Sequence, residues 1–360
     1  MKRSVQLATF LSIFLLIYLG IHYYVLSALV NLFSIQKNTY FYLLVVILAA
    51  SFPITSFIEK KSPCKCTRYL HFVSATWMGI LFYLVCLLLV YQIAGIFLTI
   101  PKIAAGTTII SAAIILTAYS LTNGSKIKIK TIEISLENLK KEIKIVQLSD
   151  IHIGSVNGPN YLKRIVEKTN ALSPDFIAIT GDLVDGTAPL THEIISPINN
   201  FKAPVFFTTG NHEFYENFDK VFKLLERTKL KILKDSKTKF QNIQLIGINY
   251  SEEKNHLNNA LKKIRIKHPS LLLYHLPTNP EYLSKNNINL QLAGHTHKGQ
   301  IFPFNFLVRL AYKNFAGLYT SKNKKSNIYV SQGTGTWGPP MRLGSFNEIT
   351  LIKLKKFNSR

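Results

Sequence analysis

Five short stretches hold the residues with chemical potential. They read SDIH at 149–152, GDLVD at 181–185, GNHE at 210–213, YHLP at 274–277 and GHTH at 294–297, and each closes or follows an apolar run. Together they present Asp150, His152, Asp182, Asn211, His212, His275, His295 and His297, all oxygen or imidazole donors, with no cysteine among them. Residues two apart in an extended segment point the same way. Asp150 with His152, and His295 with His297, can therefore each send two donors into one pocket. A lone strand-end Asp or His is ordinarily a cap or a hydrogen-bonded structural residue. This many ionisable groups at one edge would repel or stay poorly solvated without a cation, so the pattern points to metal-assisted chemistry.

Positioning such groups requires strands that end together. The apolar segments EIKIVQLSD, DFIAITGD, APVFFTTGN, QNIQLIGIN, SLLLYHLP and INLQLAGHTH read as strands, preceded by KIKIKTIEIS, whose period of two describes a half-buried strand. Helix-like stretches lie between them at Tyr161–Ala171, Lys220–Arg227 and Asn255–Ile264. Strands interleaved with helices imply a layered α/β domain, whose reactive groups gather beyond the strand C-termini. Gly181, Gly210 and Gly294 stand just before candidate ligands, where a side chain would obstruct the turn.

The ordered motifs D-x-H (Asp150, His152), G-D-x-x-D (Asp182, Asp185), G-N-H-E (Gly210 to Glu213), a lone His275 and G-H-x-H (His295, His297) resemble those of the calcineurin-like metallophosphoesterases. The resemblance covers about residues 126–355 and implies a four-layer αββα sandwich. It further implies a two-metal centre, with Asp150, His152, Asp182 and His297 on one ion and Asp182, Asn211, His275 and His295 on the other. Asp182 would bridge, and His212 would serve the leaving oxygen as proton donor or charge stabiliser. Such a donor set suits Mn²⁺, with Fe²⁺ or Zn²⁺ as alternatives.

Neighbouring residues carry open readings. Asp185 either orients a ligand or closes the turn at Gly186, and Glu213 either braces His212 or is solvated. The loop SQGTGTWGPPMRLGS offers Trp337 and Arg342 to a substrate, Arg342 as a bidentate phosphate grip; the alternative is that the loop only closes the second sheet. The Phe-rich lip IFPFNFLVRLAYKNF, residues 301–315, can dip into lipid headgroups, but packing against the domain is the expectation. His192, His256 and His268 read as surface residues, His22 and His71 as residues near membrane interfaces.

The other third of the chain is different in kind. Of 19 acidic residues only Glu59 precedes residue 122, against eight of the 43 basic residues. Four apolar stretches, Val5–Val30, Tyr40–Ile58, Tyr69–Phe97 and Ile103–Leu121, are each long enough to cross a bilayer as a helix. None holds a charged residue in its apolar body, which points to an anchor rather than an ion pathway. The first is longer than a signal-peptide core and lacks a small-x-small site, so it is read as a span. Residues 1–121 thus form a membrane anchor and 122–360 the phosphoesterase domain. Lys2, Arg3, Lys60, Lys61, Lys65 and Arg68 lie at alternate loops from Lys37 and Lys102, which puts both termini and the domain on the cytoplasmic side of the inner membrane. Three cysteines are too few for a disulfide framework.

An apolar content of 48% excludes disorder. The domain's excess of basic residues favours anionic partners, of which membrane lipids and a lipid-linked phosphodiester or pyrophosphate are expected, and nucleic acid is not. The functional analogy within the family is UDP-2,3-diacylglucosamine pyrophosphatase. Two competitors are a nuclease or cyclic-nucleotide phosphodiesterase, and a non-catalytic membrane sensor or scaffold.

Overall fold

The computed structural model describes residues 3–215 and 218–356. Lys2, counted above for orientation, lies outside them. The chain forms two compact units, one comprising the chain up to Thr122 with Gly338–Met341, the other Asn123–Trp337 with the chain from Arg342 onward.

The first unit holds four long helices, α1 Arg3–Leu32, α2 Thr39–Lys61, α3 Lys65–Ala94 and α4 Lys102–Ser125. All four are long and apolar enough to cross a membrane. Faces of α1, α3 and α4 meet around Val25, Leu81, Leu84, Leu88 and Ile109, and α2 packs on α1 through Phe41, Val45 and Leu26. Asn38 starts α2 by accepting the Phe41 N–H, and Cys64 starts α3 through a reciprocal pair with Thr67, the local satisfaction a helix N-terminus needs. His22 and His71 are buried within this unit. The His22 ring bonds the Tyr18 carbonyl at 2.8 Å and accepts the Trp77 indole N–H at 3.1 Å, because helix packing brings Trp77 to it.

Among the described residues the second unit has twelve strands: β1 Ile127–Leu136, β2 Ile143–Leu148, β3 Phe176–Thr180, β4 Val205–Thr208, β5 Leu230–Ile232, β6 Ser236–Phe240, β7 Ile243–Gly247, β8 Ser270–Leu273, β9 Leu290–Ala293, β10 Gly317–Thr320, β11 Asn327–Val330 and β12 Asn347–Lys356. Its helices are α5 Pro159–Ala171, α6 His192–Ile195, α7 Asn211–Tyr215, α8 Phe218–Leu225, α9 His256–Lys262, α10 Pro280–Lys285 and α11 Phe304–Ala311. The three helices expected from periodicity appear as α5, α8 and α9 with ends shifted by a few residues. Pro159 opens α5, where its missing N–H costs nothing.

The strands form two six-stranded sheets, ordered β1-β12-β2-β3-β4-β5 and β10-β11-β9-β8-β7-β6. Period-two alternation explains the layering. On the inner face Ile145, Phe176, Ala178 and Phe206 meet Leu245, Leu271, Leu273 and Leu292 of the opposite sheet. On the outer face Val146, Ile177, Ile179 and Phe207 pack under α5 and α8 through Leu162, Ile165, Val221 and Leu225. The second sheet buries Ile246, Leu272 and Ile328 under α9 and α10. This is the αββα sandwich, each buried Leu or Ile contributing about 1.5–3 kcal/mol. Strands β2-β3-β4 run parallel, as do β7-β8-β9, so within each trio the C-terminal ends line up on one edge.

Candidate metal centre

The five motifs sit just beyond β2, β3, β4, β8 and β9, and the backbone there is unusual. Asp150, His152, Asp182, His295 and His297 have φ of 52°, 51°, 50°, 72° and 48°. Residues with a Cβ rarely enter this left-handed region, and each such residue costs about 1–3 kcal/mol unless its surroundings impose it. Here they do: Asp150 N–H donates to Gly181 O (3.0 Å), His152 N–H to Asp182 O (3.1 Å), and Thr334 and Gly335 N–H donate to Ser149 O (2.7 Å) and Asp150 O (2.9 Å). The loops brace one another so that each aims its donors inward.

Space is equally constrained. A Cβ on Gly294 would strike the Ser149 hydroxyl and the Asp150 carboxylate, and one on Gly210 would strike the Asp182 carboxylate. Gly294→Ala is therefore expected to lower both thermal stability and the capacity to retain a divalent ion. Unfolding scans and elemental analysis would check this, and wild-type values for both would show the contact to be relieved by a local shift.

Side chains from distant parts of the chain converge within these loops. The His152 Nε2 lies 3.0 Å from His297 Nε2 and 3.9 Å from Asp182 Oδ2. His297 Nε2 is 3.4 Å from Asp150 Oδ1. His275 Nε2 is 3.2 Å from Asp182 Oδ2 and 3.9 Å from Asp150 Oδ1. His295 Nδ1 lies 3.0 Å from Asn211 Oδ1. The triads Asp150, His152, His297 and Asp182, His275, His295 each place one ligand atom per residue within 4.8 Å of the others. All these side chains are buried except that of His295, which is half-buried.

The tautomers explain what the cluster is built for. His275 uses Nδ1–H on Thr180 O at 2.8 Å, so Nε2 is the nitrogen turned to the carboxylates; that buried atom has no hydrogen-bond partner. Two facing imidazole nitrogens, such as those of His152 and His297, repel unless a proton or a cation lies between them. Burial, followed by the charges on His152 and Arg342, holds the His297 ring well below the usual imidazole range. Burial and the charge on His275 push His295 down to about 3. Both rings are neutral donors, the form that binds metals. Oxygen and imidazole donors without thiolate suit divalent first-row ions. The residues fit such ions on these grounds.

Residues 143–299 match the family model described as calcineurin-like phosphoesterase. An uncharacterized metallophosphoesterase of Campylobacter jejuni is 35% identical over 69% of this chain and 69% of its own. The chain belongs to the calcineurin-like metallophosphoesterases. An uncharacterized metallophosphoesterase of Helicobacter pylori is 37% identical over 63% of this chain and 64% of its own. A zebrafish protein described as a transmembrane protein with metallophosphoesterase domain is 34% identical over 67% of this chain and 61% of its own. With four apolar helices of spanning length, this metallophosphoesterase is a membrane protein.

Several neighbouring residues have roles other than those expected. Arg342 does not grip substrate: it is fully buried, with Nε donating to Asn347 Oδ1 (2.8 Å) and Nη1 to the His297 carbonyl (2.9 Å). Its Nη2 donates to the Gly335 carbonyl. The guanidinium is spent tying the His297 loop to the tail loop. Glu213 neither braces His212 nor is solvated. It is buried and accepts the backbone N–H groups of Asp182 (3.0 Å), Leu183 (2.7 Å), Val184 (3.2 Å) and Gly210 (2.7 Å). Burial, then the charge of Asp182, pushes its carboxyl up to about 7.

Asp185 Oδ1 lies at ion-pair distance, 3.4 Å, from His152 Nδ1, and its Oδ2 takes the Thr187 hydroxyl at 2.7 Å. His212 donates its backbone N–H to Asp182 Oδ1 (2.9 Å) and hydrogen-bonds the Asp185 carbonyl through Nδ1 (3.0 Å). Trp337 is exposed, with its ring 6.1 Å from that of His212.

Sequence reading missed Tyr312, whose hydroxyl is 2.8 Å from His295 Nε2. Lying 17 residues beyond the histidine, it carries no local signal. By occupying Nε2 it leaves Nδ1 as the nitrogen directed at Asn211. A partner on the far nitrogen fixes the tautomer and orientation of a ligating histidine. Tyr312→Phe is expected to weaken divalent-ion affinity by about 10–100-fold, read from the free Mn²⁺ electron paramagnetic resonance signal during titration. Unchanged affinity would reduce Tyr312 to packing.

Proposed function

We propose that this metallophosphoesterase is a membrane-anchored, two-metal hydrolase of a phosphodiester or pyrophosphate in a lipid-linked substrate, of which UDP-2,3-diacylglucosamine is an example. Asp150, His152, Asp182 and His297 would hold one ion, and Asp182, Asn211, His275 and His295 the other, with Mn²⁺ the first choice. The observation that carries the reading is the convergence of these donors, all buried but the half-buried His295, into two triads whose ligand atoms lie within 4.8 Å of one another.

When bound, a pair of divalent ions supplies Lewis acidity toward the phosphoryl group and acidifies water between them. The chain's own residues do the rest. Asp182 belongs to one donor triad and reaches toward the other, Asp185 lies at ion-pair distance from His152, and His212 stands beside the cluster with Nδ1 engaged. Its Nε2 is the nitrogen left for a leaving oxygen. With Nδ1–H donated to the Asp185 carbonyl, the neutral ring only accepts at Nε2, so protonating a leaving group requires the imidazolium. Trp337 and Tyr215, both exposed and within 6.1 and 5.2 Å of the His212 ring, offer apolar surface to the organic part of a substrate. The basic bias of the loop between α2 and α3 supports a cytoplasmic domain in the inner membrane.

The test is incubation of detergent-purified protein with UDP-2,3-diacylglucosamine and Mn²⁺, with product masses identifying the broken bond. Uridine monophosphate and a lipid monophosphate are the expected products. Hydrolysis of bis-p-nitrophenyl phosphate alone would redirect the search to soluble diesters, and inertness toward every ester would favour a scaffold.

A further inference from the structure

Within the Phe-rich lip Ile301 and Tyr312 meet the domain, but the helix between them does not pack into it as expected. No residue of α11 is buried, and Phe306, Leu307 and Leu310 are 56%, 59% and 84% exposed. Phe302 and Phe304 beside them are also exposed, and the Phe302 and Phe306 rings stand edge to face at 5.6 Å. A helix serving its own core would turn these side chains inward. An exposed apolar patch of this kind marks a surface that meets a partner.

The surrounding charge says which partner. Residues 282–347 contain eight Lys and Arg and no Asp or Glu, and Arg309 and Lys313 flank the apolar side chains with exposed cationic heads. An anionic bilayer surface satisfies both halves of the pattern, since its acyl region takes Phe and Leu while its phosphates meet Arg and Lys. A nucleic acid would match the charge but offers nothing to bare aliphatic side chains such as Leu307 and Leu310. The bilayer is also at hand: Lys126 alone separates α4 from β1, so the domain is tethered to the membrane its spans occupy.

We infer that α11 lies in the headgroup region of an anionic bilayer, with Phe306, Leu307 and Leu310 reaching the acyl chains. Tyr312 follows α11 directly and touches His295, so the seated helix links the lipid surface to the edge of the donor cluster. This deepens the lipid-linked reading above by naming the surface from which such a substrate would reach the site.

The test measures depth and not turnover, so it is independent of whether the proposed substrate is correct. The full chain carrying Cys64→Ser, Cys66→Ser and Cys86→Ser receives Leu310→Cys or, as a control, Lys322→Cys, and each cysteine is spin-labelled. The protein is reconstituted in phosphatidylcholine vesicles containing a minority of phosphatidylglycerol. At position 310 collisions with oxygen should dominate over those with a water-soluble nickel chelate, and at 322 the order should reverse. Hydrolysis of bis-p-nitrophenyl phosphate by each labelled variant verifies an intact site. Nickel dominance at 310 in an active preparation overturns the inference, as does dipolar broadening at 310 without lipid exposure, which would seat a second copy on the face.

Discussion

Asp182→Ala should abolish phosphoester hydrolysis, lowering the rate by about 10³-fold or more, because a metal clamp on a phosphoryl group is worth several kcal/mol and each 1.4 kcal/mol is tenfold. The carboxylate belongs to the triad with His275 and His295 and reaches toward the other, with Oδ2 at 3.2 Å from His275 and 3.9 Å from His152. Its Oδ1 accepts the His212 N–H at 2.9 Å, so the same deletion frees the loop that carries the candidate acid. Burial alone would raise the Asp182 carboxyl, but the charges on His275 and His152 hold it far below the usual carboxylate range. It is an anion in the folded protein, as a bridging ligand must be. The measurement is bis-p-nitrophenyl phosphate turnover with bound metal counted in parallel. A variant that keeps both ions and hydrolyses at the wild-type rate would sink the bridging assignment.

Glu213→Ala should cause the largest loss of stability. The substitution strands four buried backbone N–H groups at the junction of the GDLVD and GNHE loops. An unsatisfied buried donor costs about 1–3 kcal/mol, and partial entry of water leaves a net loss of about 4 kcal/mol. For a domain of this size that corresponds to a fall of about 8–16 °C in the unfolding midpoint. Glu213→Gln should fall between the two proteins, since its amide oxygen still accepts while its NH₂ faces donors. Thermal unfolding of the solubilised protein decides the matter; an alanine variant melting within a degree or two of wild type would show that the loops hold without the carboxylate.

Much of this site was legible before any coordinates. Asp150, His152, Asp182, Asn211, His275, His295 and His297 each stand at or just beyond the end of an apolar run that reads as a strand, and the structure brings all seven together at the strand exits. The layered α/β class follows from those strands being interleaved with helix-like stretches. Of the two readings open for Arg342, the structure favours the closing loop over the phosphate grip, since the guanidinium is fully buried and satisfied by His297, Gly335 and Asn347. For the lip 301–315 the expected packing does not hold along its helix, since density of Phe in a sequence cannot say whether a face finds a partner within its own fold. Glu213 was open in the sequence because its acceptors' partners include residues 182–184, about thirty positions away.

The amino-acid sequence by itself determined the donor types, their spacing at strand ends, the α/β layering and the four apolar spans. These depend on side-chain chemistry and on backbone periods of 2.0 and 3.6, which are local. Only the tertiary structure decided which nitrogen of each histidine is free, that Glu213 and Arg342 tie loops instead of touching substrate, that Tyr312 reaches His295, and that α11 stays uncovered. Those outcomes depend on which residues meet across dozens to hundreds of positions, and burial, tautomer and exposure are properties of that meeting and not of any segment alone.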